Sequence, residues 1–131
     1  MPLLPLLFLT VALSAHSQTA APPELLSRIE PMAVQAQAFD AAAPGRPLVI
    51  RSAQEAGSYF AAPELTRLSL QVDFSRQQVL LFAWRGSGQD KLEAVLGDSA
   101  VTFIYSPGRT RDLREHHAVF VLGSDLTWSL R

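Results

Sequence analysis

The fold is decided by residues 78–85, which read QVLLFAWR. This run is apolar almost throughout, without the alternation of apolar and polar residues that marks a strand exposed on one face. An uninterrupted apolar strand has both of its faces covered by other parts of the protein. We therefore predict a central strand at these positions, buried on both sides.

The chain after this strand has the pattern of further strands. Residues 100–105, AVTFIY, are rich in β-branched and aromatic side chains, which favour strands. Glycine-containing turns precede them at 86–90 and 97–98, and a long polar loop follows them at 106–115. The remaining strands are expected at 92–96, 117–122 and 126–129.

Upstream of the central strand, a short strand at 48–51 leads directly into a predicted helix. Residues 52–55, SAQE, have the form of a capping box, in which a serine and a glutamate three residues later satisfy two free backbone amides. The helix is expected to run to about Phe60. Pro63 can begin a second helical turn, which we expect to reach Leu68.

The segment that precedes these elements has a period of two. Met32, Val34, Ala36 and Ala38 share one face of an extended chain, which predicts a half-buried edge strand. Residues 43–47, APGRP, form a turn by composition. Together the elements predict an α+β fold, with a predominantly antiparallel, sandwich-like β-sheet and one or two short helices.

The N-terminus has the features of a signal peptide. Residues 3–13 are apolar apart from Pro5 and Thr10, and this run is shorter than the roughly 20 residues of a membrane span. Small residues follow it, so cleavage is expected after Ser17, with residues 20–21 as the alternative. The predicted organisation is a signal peptide at 1–17, a flexible lead-in at 18–26 and a single domain at 27–131.

The composition excludes several classes of protein. Hydrophobic residues make up 48% of the chain and the formal net charge is -1, which argues against a disordered chain and against a nucleic-acid binder that relies on positive charge. The absence of cysteine excludes disulfide bonds, cysteine-based zinc sites and thiol nucleophiles. We expect an exported protein, periplasmic or secreted, with no membrane span after signal cleavage and no nucleic-acid partner. A membrane-anchored N-terminal helix is the alternative.

Two polar loops carry the side chains that could bind a ligand or take part in catalysis. The first, residues 85–91 (RGSGQDK), has two glycines that could present consecutive backbone amides to an anion. It does not match the dinucleotide fingerprint, because Lys91 stands in place of the third glycine, and it does not match the Walker pattern. The alternative is a hairpin loop whose glycines adopt torsions that other residues disfavour.

The second loop, residues 107–117 (PGRTRDLREHH), contains three arginines in six residues. An arginine guanidinium binds a carboxylate or a phosphate through two parallel hydrogen bonds, so convergence of the two loops would make an anion site. The alternative is a surface network in which Asp90, Glu93, Asp112 and Glu115 neutralise the arginines. The candidate binding residues are Arg85, Ser87, Gln89, Asp90, Arg109, Arg111, Asp112, Arg114 and His116.

The adjacent histidines suggest a hydrolase as an alternative function, in which His116 or His117 acts with Asp90 or Asp112. No nucleophile elbow supports it, and enzymatic activity is the less favoured expectation. Consecutive residues of a strand point to opposite faces, so the two histidines are not expected to share a metal ion. We predict no metal site and no cofactor, and we expect both tryptophans to fill the core or a sheet face.

Three stretches of the chain carry a resemblance to known proteins. Residues 72–74 (VDF), 80–92 (LLFAWRGSGQDKL) and 105–116 (YSPGRTRDLREH) resemble a group of short exported bacterial proteins of unknown function. The acidic turn, the hydrophobic strand and the glycine-rich turn are distantly similar to the C-terminal domain of the PrcB subunit of a spirochaete protease complex. This likeness implies a β-rich fold. It implies no association with a protease, since residues 86–90 differ from the threonine-glycine-glycine-aromatic turn of that domain, and it transfers no catalytic residue.

The sequence therefore predicts a small exported binding or interaction module that uses the loops at 85–91 and 106–117. An anionic ligand or another envelope protein is the expected partner. A purely structural envelope protein is a further interpretation, and it would require that internal salt bridges neutralise the two loops.

Overall fold

The protein, seen here in a computed structural model that describes residues 25–29 and 32–131, consists of two β-sheets and three short helices. The helices are α1 (Gln37–Ala41), α2 (Ala53–Ala56) and α3 (Ala62–Gln71). The strands are β1 (Leu26–Ile29), β2 (Leu48–Ile50), β3 (Gln77–Gly86), β4 (Lys91–Leu96), β5 (Ala100–Ser106), β6 (Arg114–Gly123) and β7 (Thr127–Leu130). The first sheet has the strand order β1-β6-β3-β2 and the second has the order β4-β5-β7.

The predicted central strand lies in the middle of three layers. β3 pairs antiparallel with β2 on one side and with β6 on the other. Val79 and Leu81 face the layer of helices, whereas Leu80 and Phe82 face the second sheet, and all four are fully buried. The prediction of a strand covered on both faces is confirmed, because a helix layer and a sheet layer each need an apolar surface to pack against.

Aromatic rings join the two sheets. Phe82 of β3 and Phe120 of β6 both contact Phe103 of β5, with ring centroids 4.9 Å and 5.0 Å apart. The rings meet in tilted and edge-to-face arrangements, which aromatic pairs prefer over a parallel sandwich. The α+β, predominantly antiparallel and sandwich-like fold follows from this packing; the pair β5 and β7 is parallel.

The helices cover the other face of the first sheet. Ala38, Ala56 and Leu68, one from each helix, are fully buried against that face. The predicted cap of α2 forms in part: the backbone amide of Glu55 donates to the Ser52 hydroxyl over 3.1 Å. The Glu55 carboxylate accepts a hydrogen bond from the Arg51 amide over 3.0 Å instead of from the Ser52 amide. Its side chain therefore caps one residue further upstream than the capping box requires.

The predicted edge strand that contains Met32 to Ala38 is wrong where the structure describes it. Residues 32–35 form no regular element, and Ala38 lies in α1. Val34 and Ala38 are four apart, so the same apolar positions also fit a helical face, and alanine and glutamine favour a helix. The backbone amide of Gln35 donates to the carbonyl of Tyr59, which gives this segment a partner outside any sheet.

Two boundaries differ from the prediction at the ends of the first sheet. β1 begins at Leu26, inside the predicted lead-in, while the predicted signal peptide lies outside the described residues. β6 begins at Arg114 instead of His117, because its pairing with β3 continues to Gly86 opposite Arg114. The helices of the described ranges are all too short or too polar to cross a membrane.

Candidate functional site

The two loops singled out from the sequence lie against each other. Residues 87–90 carry the chain from β3 in the first sheet to β4 in the second, and residues 107–113 carry it back from β5 to β6. Both crossings occur at the same end of the sandwich, since Gly86 and Arg114 are partners at the end of the β3–β6 ladder. We call these two segments the crossover loops.

The carboxylate of Asp90 holds the base of the crossover loops together. Its Oδ2 accepts hydrogen bonds from the indole Nε1 of Trp84 over 3.1 Å and from the Tyr105 hydroxyl over 2.9 Å. Its Oδ1 accepts the backbone amide of Gly108 over 2.6 Å. The Gly108 amide is the main cause that lowers the pKa of Asp90, with further lowering from Tyr105, Trp84 and His116 and opposition from burial.

Tyr105 responds to the same carboxylate in the opposite sense. Burial is the main cause that raises the pKa of Tyr105, and its hydrogen bond to Asp90 adds to the increase. A phenolate beside a carboxylate would place two negative charges together, so the neutral hydroxyl is favoured as the donor. Asp90 is therefore engaged as an ionised acceptor at the base of the crossover loops, although the half-buried residue also lines an open depression with Lys91 and His116.

A second carboxylate, that of Asp112, holds the outer part of the crossover loops. It accepts hydrogen bonds from the Thr110 hydroxyl, from the Gly88 amide over 3.1 Å and from Arg114 Nε over 3.1 Å. These contacts lower the pKa of Asp112 to about 2, with the Thr110 hydroxyl as the largest cause. The Ser87 hydroxyl completes this layer, because it contacts the Thr110 hydroxyl and accepts the Thr110 amide over 3.2 Å.

The glycines of the crossover loops are needed for close approach and not for their torsions. All seven glycines of the chain lie in the described residues, and none has a positive φ. A Cβ at Gly108 would stand 2.5 Å from Ser87 Oγ and 2.6 Å from Gln89 Cβ. The alternative interpretation of residues 85–91, a hairpin loop with special glycine torsions, is wrong, because β3 pairs with β6 and not with β4 and no glycine has a positive φ. The small size of the glycines instead allows the two loops to touch.

His116 packs into the same region as a structural side chain. Its ring stacks on Trp84 with centroids 5.0 Å apart and an interplanar angle of 16°. Its Nε2 lies 2.7 Å from the carbonyl oxygen of Ser87, and a carbonyl only accepts, so Nε2 carries the proton. His116 makes no hydrogen bond to Asp90 or Asp112, the carboxylates of the hydrolase alternative, since its Nε2 meets the Ser87 carbonyl and both carboxylates accept from other donors.

His117 points to the opposite face of β6, as the strand geometry predicts. It lines a depression on the helix side with Phe39 and Glu115, whereas His116 lies against Trp84. Among residues 25–29 and 32–131, no group of three or more histidine, aspartate or glutamate side chains could hold a metal ion.

Arg85 does not join the other candidate residues. Strand alternation turns its side chain to the helix face, where the guanidinium lies 3.4 Å from Asp40 Oδ1, 3.9 Å from Glu115 Oε2 and 5.3 Å from the centre of the Phe39 ring. Arg114 is paired with Asp112. Of the predicted neutralising network, Asp112 pairs with Arg114 and Glu115 lies near Arg85, although the carboxylate nearest to Arg85 is that of Asp40. Asp90 takes no part in the network and binds neutral donors.

Three cationic side chains remain at the crossover loops without a carboxylate. Lys91, Arg109 and Arg111 form no ion pair with any residue in the described part of the chain. Lys91 and Arg109 line an open groove with a volume of about 560 Å³, together with Gln89 and Gly108. Of the candidate residues, Gln89 and Arg109 line this groove, and Lys91 joins them although it is not among the candidates.

Sequence reasoning missed Tyr105 and Thr110, which anchor the crossover loops. The sequence pattern assigns Tyr105 only to a strand, although its position next to a polar loop places its hydroxyl at the loop base. Thr110 stands two residues before Asp112, a spacing at which a hydroxyl and a carboxylate often meet in a turn.

Comparison of the chain with protein-family models, with curated proteins and with solved structures finds no match. The resemblance to short exported proteins and to the PrcB domain therefore stays a prediction.

Proposed function

We propose that the chain is a small exported binding module that captures an anionic group at its crossover loops. The apolar run at residues 3–13 and the small residues after it support export, as does the resemblance to short exported bacterial proteins. The anion-binding part of the proposal depends on the groove beside residues 107–113. Its partner would be a ligand, or a protein surface, that presents a carboxylate or a phosphate.

One observation carries the proposal: the loops are internally fixed, yet Lys91 and Arg109 beside the groove have no acidic partner among the described residues. Asp90 and Asp112 already hold the loop backbone through their own hydrogen bonds. The arginine side chains at 109 and 111 are thus not needed as tethers. A prearranged loop with free guanidinium groups loses less conformational entropy on binding than a mobile loop would.

The groove chemistry favours an anion of modest size. The Arg109 guanidinium can bind two oxygens at once, and the Lys91 ammonium adds a point charge. The site is open to solvent, so salt should weaken binding strongly: the Debye length is about 8 Å at physiological ionic strength. The affinity is expected to rest on two or three charge-assisted hydrogen bonds and not on buried apolar area.

The proposal is tested by titrating the protein with inorganic phosphate and with citrate and by following the backbone amides of Gly88 and Gly108 by NMR. We expect both amides to shift, and the shifts to shrink at high salt. Lys91→Ala and Arg109→Ala should each weaken the response. Arg46→Ala removes an exposed arginine that does not line the groove, and it serves as the matched control.

Three results would contradict the proposal. Titration without any shift at the two glycine amides would exclude anion binding in the groove. An equal loss of response in Arg46→Ala and Arg109→Ala would mean that only net charge matters. A loss of the folded spectrum in Arg109→Ala would show instead that the arginine is a tether.

A further inference from the structure

A second concave site lies at the end of the sandwich opposite to the crossover loops. β3 runs from Gln77 at this end to Gly86 at the crossover end, so the two sites are separated by the full length of the central strand. The concavity has a volume of about 470 Å³. The side chains that matter to its chemistry are Arg51, Phe74, Gln78, Ser124, Thr127 and Trp128, and we call it the Gln78 pocket.

Gln78 is the residue that makes this pocket unusual. It is only 9% exposed, and it lies on the face of β3 that carries Leu80 and Phe82 into the core between the sheets. Its carboxamide makes no hydrogen bond with any residue that the structure describes, whereas that of the neighbouring Gln77 accepts the Asp73 amide over 2.9 Å. Most polar side chains that are this deeply buried are hydrogen-bonded within the protein, so an amide that has to find its partners outside the protein is unusual.

The unpaired amide is directed into the pocket. Among the described residues, no side-chain nitrogen or oxygen is both fully enclosed and unpaired. The amide atoms of Gln78 therefore keep some access to open space, and the pocket that Gln78 lines provides it. A ligand seated there would meet two donors and one acceptor that the protein itself leaves unused.

The walls of the pocket are aromatic and its rim is polar. Trp128 is half-buried; its ring meets Phe103 of the core edge-on, with centroids 6.4 Å apart, and Phe74 is also half-buried. The side chains of Arg51, Ser124 and Thr127 make no hydrogen bond or ion pair with the described residues. The site thus combines ring surfaces, an amide, two hydroxyls and a single cation.

We propose that the Gln78 pocket binds an acidic sugar, that is, a saccharide unit that carries a carboxylate. The C–H face of a sugar ring packs on an aromatic side chain, and its hydroxyls act as donors and acceptors together, which matches a carboxamide and two serine or threonine hydroxyls. Arg51 supplies the one charge, and its fork fits a carboxylate. The volume lies in the range of small-molecule sites.

Other ligand classes fit this set of side chains less well. A purely apolar ligand would enclose the Gln78 amide without a partner, which is costly. A polyphosphate needs several cations, and among the residues that the structure describes Arg51 is the only basic one that lines the pocket. This site shares no residue with the crossover-loop groove, so its test is independent of the proposed function.

The test uses the full chain, with glucuronic acid as the acidic probe and glucose as its neutral counterpart. By NMR, glucuronic acid should shift the side-chain amide signals of Gln78 and the indole N–H signal of Trp128. Glucose should bind about tenfold more weakly, because it lacks the carboxylate that meets Arg51. Arg51→Gln should remove this preference for glucuronic acid.

Gln78→Leu should weaken binding of both sugars about tenfold, and Gln54→Leu, at an exposed glutamine, is the matched control. The Gln78→Leu variant should melt no lower than the unsubstituted protein, because it replaces an unpaired amide next to the core. Unchanged spectra with both sugars, or full binding by Gln78→Leu, would overturn the proposal. Equal affinity for glucose and glucuronic acid would overturn the assignment of an acidic sugar.

Discussion

The carboxylate of Asp90 accepts a hydrogen bond from the indole N–H of Trp84 over 3.1 Å. This bond joins the buried end of the inter-sheet core to the crossover loops, because the other oxygen of the same carboxylate accepts the Gly108 amide. Trp84 is only 5% exposed, so its N–H needs a partner inside the protein. Asp90 therefore accepts hydrogen bonds from a donor in the core and from a donor in the loop at the same time. The geometry of the crossover loops depends on this residue for that reason.

Asp90→Asn should destabilise the protein by about 1–3 kcal/mol, since one end of the amide donates and cannot accept from the Trp84, Tyr105 and Gly108 donors together. Urea unfolding measures the free energy. Asp98→Asn, at an exposed turn, is the control and should change stability little. Equal stability of the two variants would contradict the role assigned to Asp90.

The stability contribution of Asp112 should disappear in acid. The pKa of this carboxyl is about 2 in the folded protein, below its ordinary value of 3.8. The unfolded chain therefore binds more protons in this range, and the contribution is complete above pH 3.8 and lost as the pH falls to about 2. The difference in urea midpoint between the unsubstituted protein and Asp112→Asn should shrink from about pH 6 to about pH 2.

Thr110→Val provides the matched test of the cause, because the Thr110 hydroxyl is the main reason for the low pKa of Asp112. In this variant the pKa of Asp112, followed by carboxyl NMR, should move back toward 3.8. An unchanged titration would show that the Gly88 amide and Arg114 suffice to hold the carboxylate ionised.

Gly108→Ala should destabilise the protein by about 1–3 kcal/mol, because its Cβ would stand 2.5 Å from Ser87 Oγ and 2.7 Å from the Gln89 carbonyl carbon. The backbone torsions of Gly108 are open to alanine, so the effect would come from contact alone. Gly45→Ala is the control, since no atom lies within 4 Å of its added Cβ. Thermal melting of both variants separates the steric contact at Gly108 from the general effect of replacing glycine by alanine. An unchanged melting temperature of Gly108→Ala would show that the loops can move apart.

Phe103→Ala should cost about 3–5 kcal/mol, as expected for an aromatic residue that leaves a cavity in a packed core. Phe103 is fully buried and its ring contacts Phe82, Phe120 and Trp128. Leu113→Ala, at a side chain that is 74% exposed, is the comparison for urea unfolding. A loss below about 1 kcal/mol would mean that the two sheets do not depend on this contact.

The central strand could be predicted because a strand that is apolar on both faces has to be buried on both faces. The segment from Met32 to Ala38 could not, since its short apolar pattern fits a period of two and a helical period equally well. Convergence of the two loops was one hypothesis from the sequence, and they do lie against each other, but the sequence did not indicate that Tyr105 and Thr110 would anchor them or that Arg85 would turn away. Which residues pair depends on β3 joining β6, a long-range choice that local composition does not encode.

The sequence also could not show which side chains are free to bind a ligand. Arg85 and Arg109 both stand next to a glycine in a polar segment of the sequence. In the structure, strand alternation brings Arg85 to Asp40, whereas Arg109 lines a groove. The unpaired amide of Gln78 could not be predicted either, because a polar residue at the start of a strand is common. Its missing partner becomes visible only when the neighbouring strands and Trp128 are in place.

The crossing of the chain at residues 87–90 and 107–113 has a consequence for the order of folding. Gly86 and Arg114 are cross-strand partners, although the β4–β5 hairpin is inserted between them. The inserted hairpin has local contacts and can form before β3 finds β6, which shortens the effective loop that must be closed. A hairpin whose turn is weakened at Gly97 to Ser99 should therefore slow refolding of the whole domain, even though the first sheet contains none of its residues.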